Sequence, residues 1–341
     1  MGSTYDRLPS RWMQKLALSI VMLQLIGPFW YWPATIYLAY LNPLGIGRGL
    51  VIGYLVYIFV INNRAHWKPE GSTPIRRLKF WRHLADYFPA KMIKTAELDP
   101  KKNYIFCGHP HGVACFSYVS NFFIEATGFS EKFPGITLYP MILDAHFYTP
   151  VHREVALMSG FRSSKKEAMI KLLNGPPGSS VFLVPGGADE VLRSSPGTYD
   201  LVLNKRKGFI KLALQTGANL VPILGFGETD LFDISQPVPG TWVYRIQRVV
   251  LKLTTFAFPV ITGAGFWSGS GPLPKSMPLH TVVGAPIQVL KWQGNTSSSD
   301  PDFITAVNEL HSKYCEALRQ LWCEHKDLYA SGRRKSLEIV E

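Results

Sequence analysis

The chain begins with a long apolar block between two basic flanks. No Asp, Glu, Lys or Arg occurs in the 32 residues between Lys15 and Arg48, or in the 15 residues between Arg48 and Arg64. One helical bilayer crossing needs ~20 residues, so the block can hold two helices, or one helix and a re-entrant segment. Because both flanks are basic, the positive-inside rule places both in the cytosol. The pattern predicts a membrane-embedded helical hairpin over residues 16–63, preceded by a cytosolic segment over residues 1–15.

Beyond the hairpin, short apolar runs alternate with amphipathic segments. The runs at 104–107, 180–184 and 219–224 each end in a glycine-rich turn, and residues 281–283 are a fourth candidate strand. Strands alternating with helices indicate an α/β domain with a mixed, largely parallel sheet flanked by helices, which we place at residues 64–330. Ligands collect at the carboxyl ends of such strands, so we expect the three turns to form one site.

Helical spacing marks the elements between and after these runs. Segments 164–174 and 205–215 are amphipathic, and apolar residues recur every three or four positions over 303–321, as on one buried helix face. Residues 331–341 are expected to form a polar, solvated tail. The uncharged stretch 253–274 is rich in Gly and Pro, and we expect an apolar loop that lines a pocket or lies on the bilayer, with a plain buried loop as the alternative.

Composition and charge limit the classes of molecule that this protein is expected to bind. The chain has 341 residues, is 47% hydrophobic and carries a formal net charge of +12, which excludes global disorder and suggests an anionic partner. The basic residues flank the apolar block and no nucleic-acid-binding module is visible, so no nucleic acid partner is expected. The four cysteines form no CxxC pair, which favours a reducing, cytosol-facing environment over a disulfide scaffold.

The sequence HPHG at 109–112 follows the first predicted strand. A neutral imidazole has a pKa of about 6.5, so His109 or His111 can act as a general base near neutral pH. Pro110 would stiffen the turn and Gly112 would leave room for a substrate. A zinc site and a purely structural role are the alternatives, but no third ligand is close in sequence, so no metal is predicted. The residues do not rank the two histidines.

Five ordered motifs resemble those of the diacylglycerol acyltransferase type 2 family, which also includes monoacylglycerol and wax-alcohol acyltransferases. They are YFP at 87–89, HPHG at 109–112, PGGADE at 185–190, KRKGF at 205–209 and FGE at 226–228. The similarity extends from about Trp81 to Lys326, and the apolar N-terminal block also matches the family.

The resemblance implies a glycerolipid-acyltransferase-like fold in the endoplasmic reticulum membrane, with the catalytic domain facing the cytosol and access to lipid droplets. The enzyme would transfer a fatty acyl group from acyl-CoA to the free hydroxyl of diacylglycerol, making triacylglycerol. Acyl-CoA would be a co-substrate, and no tightly bound cofactor is expected. Monoacylglycerol or a fatty alcohol is the alternative acceptor, a lipid-binding membrane protein is the non-enzymatic alternative, and a homodimer is open.

The resemblance also assigns residues. Related glycerolipid acyltransferases place an Asp five residues after the catalytic His, where this chain has Ala114 and Phe116, so the carboxylate must come from elsewhere. Glu190 is the first choice and Glu228 the second, with backbone N–H groups of Gly112 or 186–187 as oxyanion donors. The matching motifs further imply roles in binding or supporting the site for Tyr87, Phe88, Pro89, Pro110, Arg153, Pro185, Gly186, Gly187, Arg206, Lys207, Gly208 and Phe209. Among these, Arg153, Arg206 and Lys207 would face CoA phosphates.

Overall fold

Helices come first along the chain and are then interspersed with strands in a computed structural model that describes residues 11–41, 45–69, 74–235, 240–254, 259–297 and 299–340. The helices are α1 (Arg11–Leu25), α2 (Gly27–Leu41), α3 (Ile46–Val56), α4 (Arg82–Tyr87), α5 (Phe116–Tyr118), α6 (Phe129–Lys132), α7 (His152–Met158), α8 (Lys166–Leu173), α9 (Gly187–Arg193), α10 (Gly208–Thr216), α11 (Trp242–Thr254) and α12 (Pro301–Tyr329). The strands are β1 (Lys91–Lys94), β2 (Tyr104–His109), β3 (Thr137–Ile142), β4 (Arg162–Ser163), β5 (Ser179–Leu183), β6 (Asp200–Val202), β7 (Asn219–Phe226), β8 (Asp233–Ser235), β9 (Val260–Ala264), β10 (Ser270–Gly271), β11 (His280–Val283) and β12 (Glu338–Val340).

Seven strands form the central sheet in the order β1-β11-β7-β2-β5-β3-β4. From β7 to β4 all neighbours are parallel, whereas β11 is antiparallel to β7 and parallel to β1. The expected mixed, largely parallel sheet is confirmed, and all four expected strands lie within it. Because β5, β2 and β7 are adjacent and parallel, their carboxyl ends meet at one edge of the sheet.

Alternate residues of the central strands enter two different cores, as the two-residue period of a strand requires. Phe106 of β2 and Phe182 of β5 pack in a cluster with residues of α1, α4 and α5. Ile105 and Val181, one position earlier, pack in a second cluster with residues of α8, α10 and α12. The sheet is therefore covered on both faces, which explains why its central strands are almost wholly apolar.

Helix α12 confirms the predicted periodic segment. Its stripe from Phe303 to Leu321 is buried against the sheet. The helix begins after Asp300, whose side chain accepts a hydrogen bond from the Phe303 N–H and so satisfies a free donor of the first turn. Tyr314, near the middle of the stripe, contacts the end of β2, where its hydroxyl lies 3.0 Å from Nε2 of His109.

Two expectations for loops and tail are corrected. The stretch 253–274 is not a single apolar loop, because β9 and β10 within it form a three-stranded sheet with β8, while residues 255–258 lie outside the described part. The expected solvated tail 331–341 contains β12, which pairs in parallel with β6. Both segments are held by backbone hydrogen bonds to other strands. A hydropathy pattern carries little information about such pairing.

Among its described residues, the N-terminal block contains one helix long and apolar enough to cross a membrane, Ile46–Trp67, with 22 residues. Helices α1 and α2 reach this length only as a pair bent by 76°. Helix α1 also packs on the domain, where Ala17 and Leu18 are fully buried in the cluster that includes Leu84 of α4. The hairpin over residues 16–63 therefore stays a prediction, and the first ten residues lie outside the described part.

Candidate active site

Three chain turns meet at the carboxyl edge of the sheet. Strand β2 ends at His109 and runs into the HPHG turn, β5 leads through the PGG turn into α9, and β7 leads to Glu228. The expected convergence of the three turns on one region is confirmed by the strand order. The side chains that they bring together are His109, His111, Glu190 and Glu228.

The Glu190 carboxylate is fixed in position between two turns. Its Oε2 accepts a hydrogen bond of 2.7 Å from the His111 N–H, and its Oε1 accepts one of 2.9 Å from the Val202 N–H. The same Oε1 lies 3.9 Å from Nδ1 of His109. A carboxyl group that is only 2% exposed needs such donors, because buried oxygens without hydrogen bonds cost free energy. Because Val202 lies on β6, the pairing of β6 with β12 also braces this contact.

The His109 ring is sealed inside the protein. It is 0% exposed, and its Nε2 lies 3.0 Å from the hydroxyl of Tyr314 on α12. That hydroxyl also donates to the Cys107 carbonyl at 3.4 Å. Sequence reasoning misses Tyr314 as a site residue, although a hydroxyl on an apolar helix stripe does signal a buried hydrogen-bond partner. The arrangement suits His109 to support the turn, because neither ring nitrogen is open to a substrate.

The His111 ring is only half-buried, and its tautomer follows from its neighbours. Nδ1 lies 3.2 Å from the Gly112 carbonyl, which can only accept, so Nδ1 carries the hydrogen. Sγ of Cys115 lies 3.4 Å from the same nitrogen. Nε2 therefore holds the free lone pair, and it has no hydrogen-bond partner among the described residues.

The electrostatics of His111 suit a proton acceptor. Burial lowers the pKa of His111, because it disfavours the charged ring, and the Glu190 carboxylate opposes this by raising it. The ring is thus neutral at neutral pH, and a proton that it takes up is stabilised by Glu190. Among the described residues, no three His, Cys, Asp or Glu side chains are grouped as metal ligands.

Two glycines of the turns are required by close approach. Gly112 has φ of +60°, and a Cβ there would lie 2.4 Å from Cγ of Glu228. At Gly186, a Cβ would lie 1.9 Å from Cδ of Glu190. Any larger residue at Gly186 would displace the carboxylate that holds the His111 backbone.

Glu228 lies on the other side of the HPHG turn and serves a different purpose. Its carboxylate accepts hydrogen bonds from the N–H groups of Phe116 at 3.0 Å and Ser117 at 2.6 Å, at the start of α5. Burial raises its pKa to about 7, although these hydrogen bonds act to lower it. No ion pair joins Glu228 to a histidine in the described part of the chain. The second-choice carboxylate is therefore a helix cap, and Glu190 is the residue beside the histidines.

The three cations assigned to CoA lie in different places. Arg206 pairs with Asp189, the neighbour of Glu190, and is half-exposed at the edge of the site. Lys207 is half-buried and donates to Oδ1 of Asn308 at 2.8 Å. Arg153 is 1% exposed. It pairs with Glu154 and donates to the Asn62 carbonyl, at the end of the apolar helix. The guanidinium of Arg153 is thus committed to joining α7 to that helix.

The aromatic motif residues are buried and pack against the elements that carry the site. Phe209, next to Gly208 at the start of α10, packs edge-on against Tyr314 with ring centroids 4.9 Å apart. Phe88 packs against Phe116 at 5.0 Å, and the Tyr87 hydroxyl donates to the Pro274 carbonyl at 2.7 Å. These aromatic residues are buried, so they position the elements that carry the histidines and offer no surface to a substrate.

Three further motif residues lie in the turns themselves, and Pro89 lies just before β1. The Pro110 carbonyl accepts a hydrogen bond of 3.1 Å from the Tyr118 hydroxyl. Pro185 follows β5, and Gly187 begins α9 with φ of +59° and open space where a Cβ would be. The N–H groups of Gly112 and Gly187 donate to no carbonyl or side chain that the structure describes.

Removing the hydroxyl of Tyr314 tests the contact with His109. We expect Tyr314→Phe to lower the free energy of unfolding by about 1 kcal/mol, the usual worth of one hydrogen bond, and to lower kcat about tenfold, since about 1.4 kcal/mol of barrier corresponds to that factor. The ring and its packing on Phe209 are retained, so KM should not change. Tyr329→Phe on the same helix is the control, and a Tyr314→Phe enzyme with unchanged kcat would contradict a positioning role.

Comparisons with known proteins agree with one another. A family model described as "Diacylglycerol acyltransferase" matches residues 47–340. Diacylglycerol O-acyltransferase 2A of Umbelopsis ramanniana is 39% identical over 85% of this chain and 81% of that protein. Human 2-acylglycerol O-acyltransferase 3 is 39% identical over 80% of this chain and 79% of that protein.

Two further similarities were found, one to a relative and one to a solved structure. Mouse acyl-CoA wax alcohol acyltransferase 2 is 35% identical over 94% of this chain and 90% of that protein. Among solved structures, the 1-acyl-sn-glycerophosphate (LPA) acyltransferase PlsC of Thermotoga maritima is 11% identical with a TM-score of 0.38, covering 91% of this chain and 97% of that chain.

Proposed function

The chain belongs to the diacylglycerol acyltransferase family and is an acyltransferase, and on that premise we propose that it moves a fatty acyl group from acyl-CoA to the hydroxyl of diacylglycerol, with His111 as the base. The observation that carries the assignment of the base is the free Nε2 of His111. Its Nδ1–H is committed to the Gly112 carbonyl, so Nε2 is the nitrogen that can accept a proton. His109 offers no accessible nitrogen, because its ring is fully buried.

The reaction needs one proton acceptor and no covalent acyl-enzyme. Nε2 of His111 takes the proton of the acceptor hydroxyl while the oxygen attacks the thioester carbonyl. The tetrahedral intermediate then collapses, the C–S bond breaks, and the thiolate of CoA takes the proton from the imidazolium. Glu190 stabilises that imidazolium and holds the His111 backbone. The N–H groups of Gly112 and Gly187, which have no partner among the described residues, are our proposed donors to the oxyanion.

Diacylglycerol is our proposed acceptor, and acyl-CoA our proposed donor. Support for diacylglycerol comes from the family description and from relatives named diacylglycerol O-acyltransferases. The similar identity to a 2-acylglycerol O-acyltransferase favours monoacylglycerol as the second candidate. Arg206 remains the best placed cation for a CoA phosphate, since it is half-exposed beside the turn that carries Glu190.

An acyl-transfer assay decides between the acceptors. Labelled oleoyl-CoA is offered to microsomes from cells that lack other triacylglycerol synthesis, with diacylglycerol, monoacylglycerol and a fatty alcohol in parallel. We expect labelled triacylglycerol as the main product at matched acceptor concentrations. Faster labelling of monoacylglycerol or of the alcohol would replace the proposed acceptor without changing the reaction class.

We place the enzyme in the endoplasmic reticulum membrane, with the catalytic domain and both termini in the cytosol. Support for membrane insertion comes from the apolar helix Ile46–Trp67 and from the exposed apolar side chains of α2 and α3, among them Leu38 and Leu50. Two cytosolic termini require a second crossing, for which the bent pair of α1 and α2 is the candidate. Protease digestion of intact microsomes should remove tags from both ends of the chain. A protected tag at either end would contradict the hairpin.

The pH dependence of the reaction should report His111. Since burial lowers the pKa of His111 from its ordinary value of about 6.5, the base form persists below that pH. We expect kcat/KM to be flat near pH 7 and to fall on the acid side, with its half-maximum below about 6.5. Protonation also disfavours the folded state, so stability from this group is lost as the pH falls through the same range. A half-maximum above 7 would contradict a buried imidazole as the base.

A further inference from the structure

An acid-free segment of the chain carries a helix that no part of the acyl-transfer site uses. Between Asp233 and Asp300 there is no Asp or Glu, whereas five Lys or Arg residues occur. Helix α11 lies in this segment and contributes Arg245, Arg248 and Lys252. The segment is therefore a local source of positive charge, separate from the basic flanks of the apolar block.

Helix α11 presents an apolar stripe to the outside. Trp242, Ile246 and Val249 are spaced by four and three residues, which places them on one face. Their exposed fractions are 74%, 53% and 55%. A helix that only covers the domain would bury such a stripe against it, so this face has no partner within the described residues.

The basic residues border the apolar stripe. Arg245 and Arg248 directly precede Ile246 and Val249 in sequence, so each lies about 100° around the helix from its apolar neighbour. Both arginines are exposed. An apolar stripe next to a cationic stripe is the pattern of a helix that lies in the interface of an anionic bilayer.

A neighbouring turn connects this region with the membrane segment. The turn between β9 and β10 exposes Phe266 at 42% and Trp267 at 89%. Lys15 of α1 donates to the Phe266 carbonyl and lies 5.9 Å from the Phe266 ring centroid. The acid-free segment thus contacts the first helix of the chain, which leads into the apolar block.

We propose that α11 lies on the anionic surface of a bilayer, with Trp242, Ile246 and Val249 inserted among the acyl chains and Arg245 and Arg248 at the lipid phosphates. The positive charge favours a lipid surface over a second copy of this chain as the partner. Two copies would bring these cationic stripes together, and the like charges would repel each other. The proposal concerns a surface outside the acyl-transfer site and does not depend on which lipid accepts the acyl group.

Fluorescence from single cysteine labels in the full-length protein tests this placement. In a Cys323→Ser background, which removes the exposed thiol, Ile246→Cys carries an environment-sensitive dye. The protein is reconstituted in phosphatidylcholine vesicles with or without phosphatidylserine, together with nitroxide-labelled lipid. We expect a blue-shifted, nitroxide-quenched dye in the anionic vesicles. Tyr244→Cys, two residues earlier and on roughly the opposite face, should give an unquenched dye in the same vesicles.

Charge removal separates lipid binding from other causes of shielding. Each arginine near an anionic surface contributes about fivefold to binding, so Arg245→Gln with Arg248→Gln should weaken docking of α11 roughly 25-fold. Lys313→Gln with Arg319→Gln removes the same charge from exposed positions of α12 and should have no effect. A dye at position 246 that nitroxide lipid does not quench overturns the proposal, and shielding that is equal without lipid would assign the stripe to a protein partner instead.

Discussion

The His111→Gln enzyme is expected to transfer acyl groups about 10²- to 10⁴-fold more slowly than the parent, the range that a general base contributes. Glutamine is similar in size and can still hydrogen-bond to the Gly112 carbonyl, but it offers no basic nitrogen at the position of Nε2. Since the Glu190 contact uses the backbone N–H of residue 111, it should survive the change. The measurement is kcat on microsomes with the amount of protein determined by immunoblot.

Two further histidine variants make this result specific. His325→Gln changes a half-buried histidine on α12 that bonds only to its own helix, and full activity is expected. His109→Gln should reduce stability, because Tyr314 and Glu190 lose their buried neighbour at a cost of about 1–3 kcal/mol. An enzyme with His111→Gln that keeps more than a tenth of its activity would remove this residue as the base.

Alanine at Gly186 should inactivate the enzyme through Glu190. The backbone of Gly186 is ordinary, with φ of -64°, so alanine is allowed there conformationally. Its Cβ would lie 1.9 Å from Cδ of Glu190, and the carboxylate must move by an ångström or more. A displacement of about 1 Å in a catalytic arrangement can cost about 100-fold, and overpacking adds roughly 1–3 kcal/mol of instability. The measurements are kcat and the thermal unfolding midpoint in detergent.

A double-mutant cycle identifies the cause of this loss. In a Glu190→Gln background the carboxylate is already gone, so adding Gly186→Ala should cost much less activity than it does alone. Gly332→Ala serves as the control, because a Cβ there meets nothing within 4 Å. Independent, multiplicative losses at 186 and 190 would show that alanine acts through another contact.

Local motifs carry much of the information about the site. The central strands are continuous apolar runs, and each leads into a glycine-containing turn, so the meeting of these turns at one edge of the sheet follows from alternation with helices. HPHG and PGGADE identify His111 and Glu190 as candidates. The ranking of the histidines cannot be obtained in this way, because it depends on Tyr314, which lies 205 residues from His109 in sequence.

Charged residues are the least predictable part. Arg153 and Arg206 look alike in sequence, yet Arg153 is sealed between Glu154 and the Asn62 carbonyl, whereas Arg206 stays half-exposed. Glu190 and Glu228 both follow glycine-rich turns, but only Glu190 lies beside the histidines. The burial of a charged side chain and the identity of its partners are determined by segments that are distant in sequence. No local sequence pattern encodes either property.

Periodicity, turn chemistry and motif order by themselves determined the α/β class, the edge of the sheet that carries the site and the family of acyltransferases. Only the tertiary structure decided which imidazole of the candidate site is partly exposed, which glutamate accepts a hydrogen bond from the His111 backbone, and that α12 and the C-terminal strand β12 pack against this site. The physical reason is the distance along the sequence over which each property is determined. Strands, helices and turns are selected by neighbouring residues, whereas the accessibility and pKa of His111 depend on groups brought together by folding.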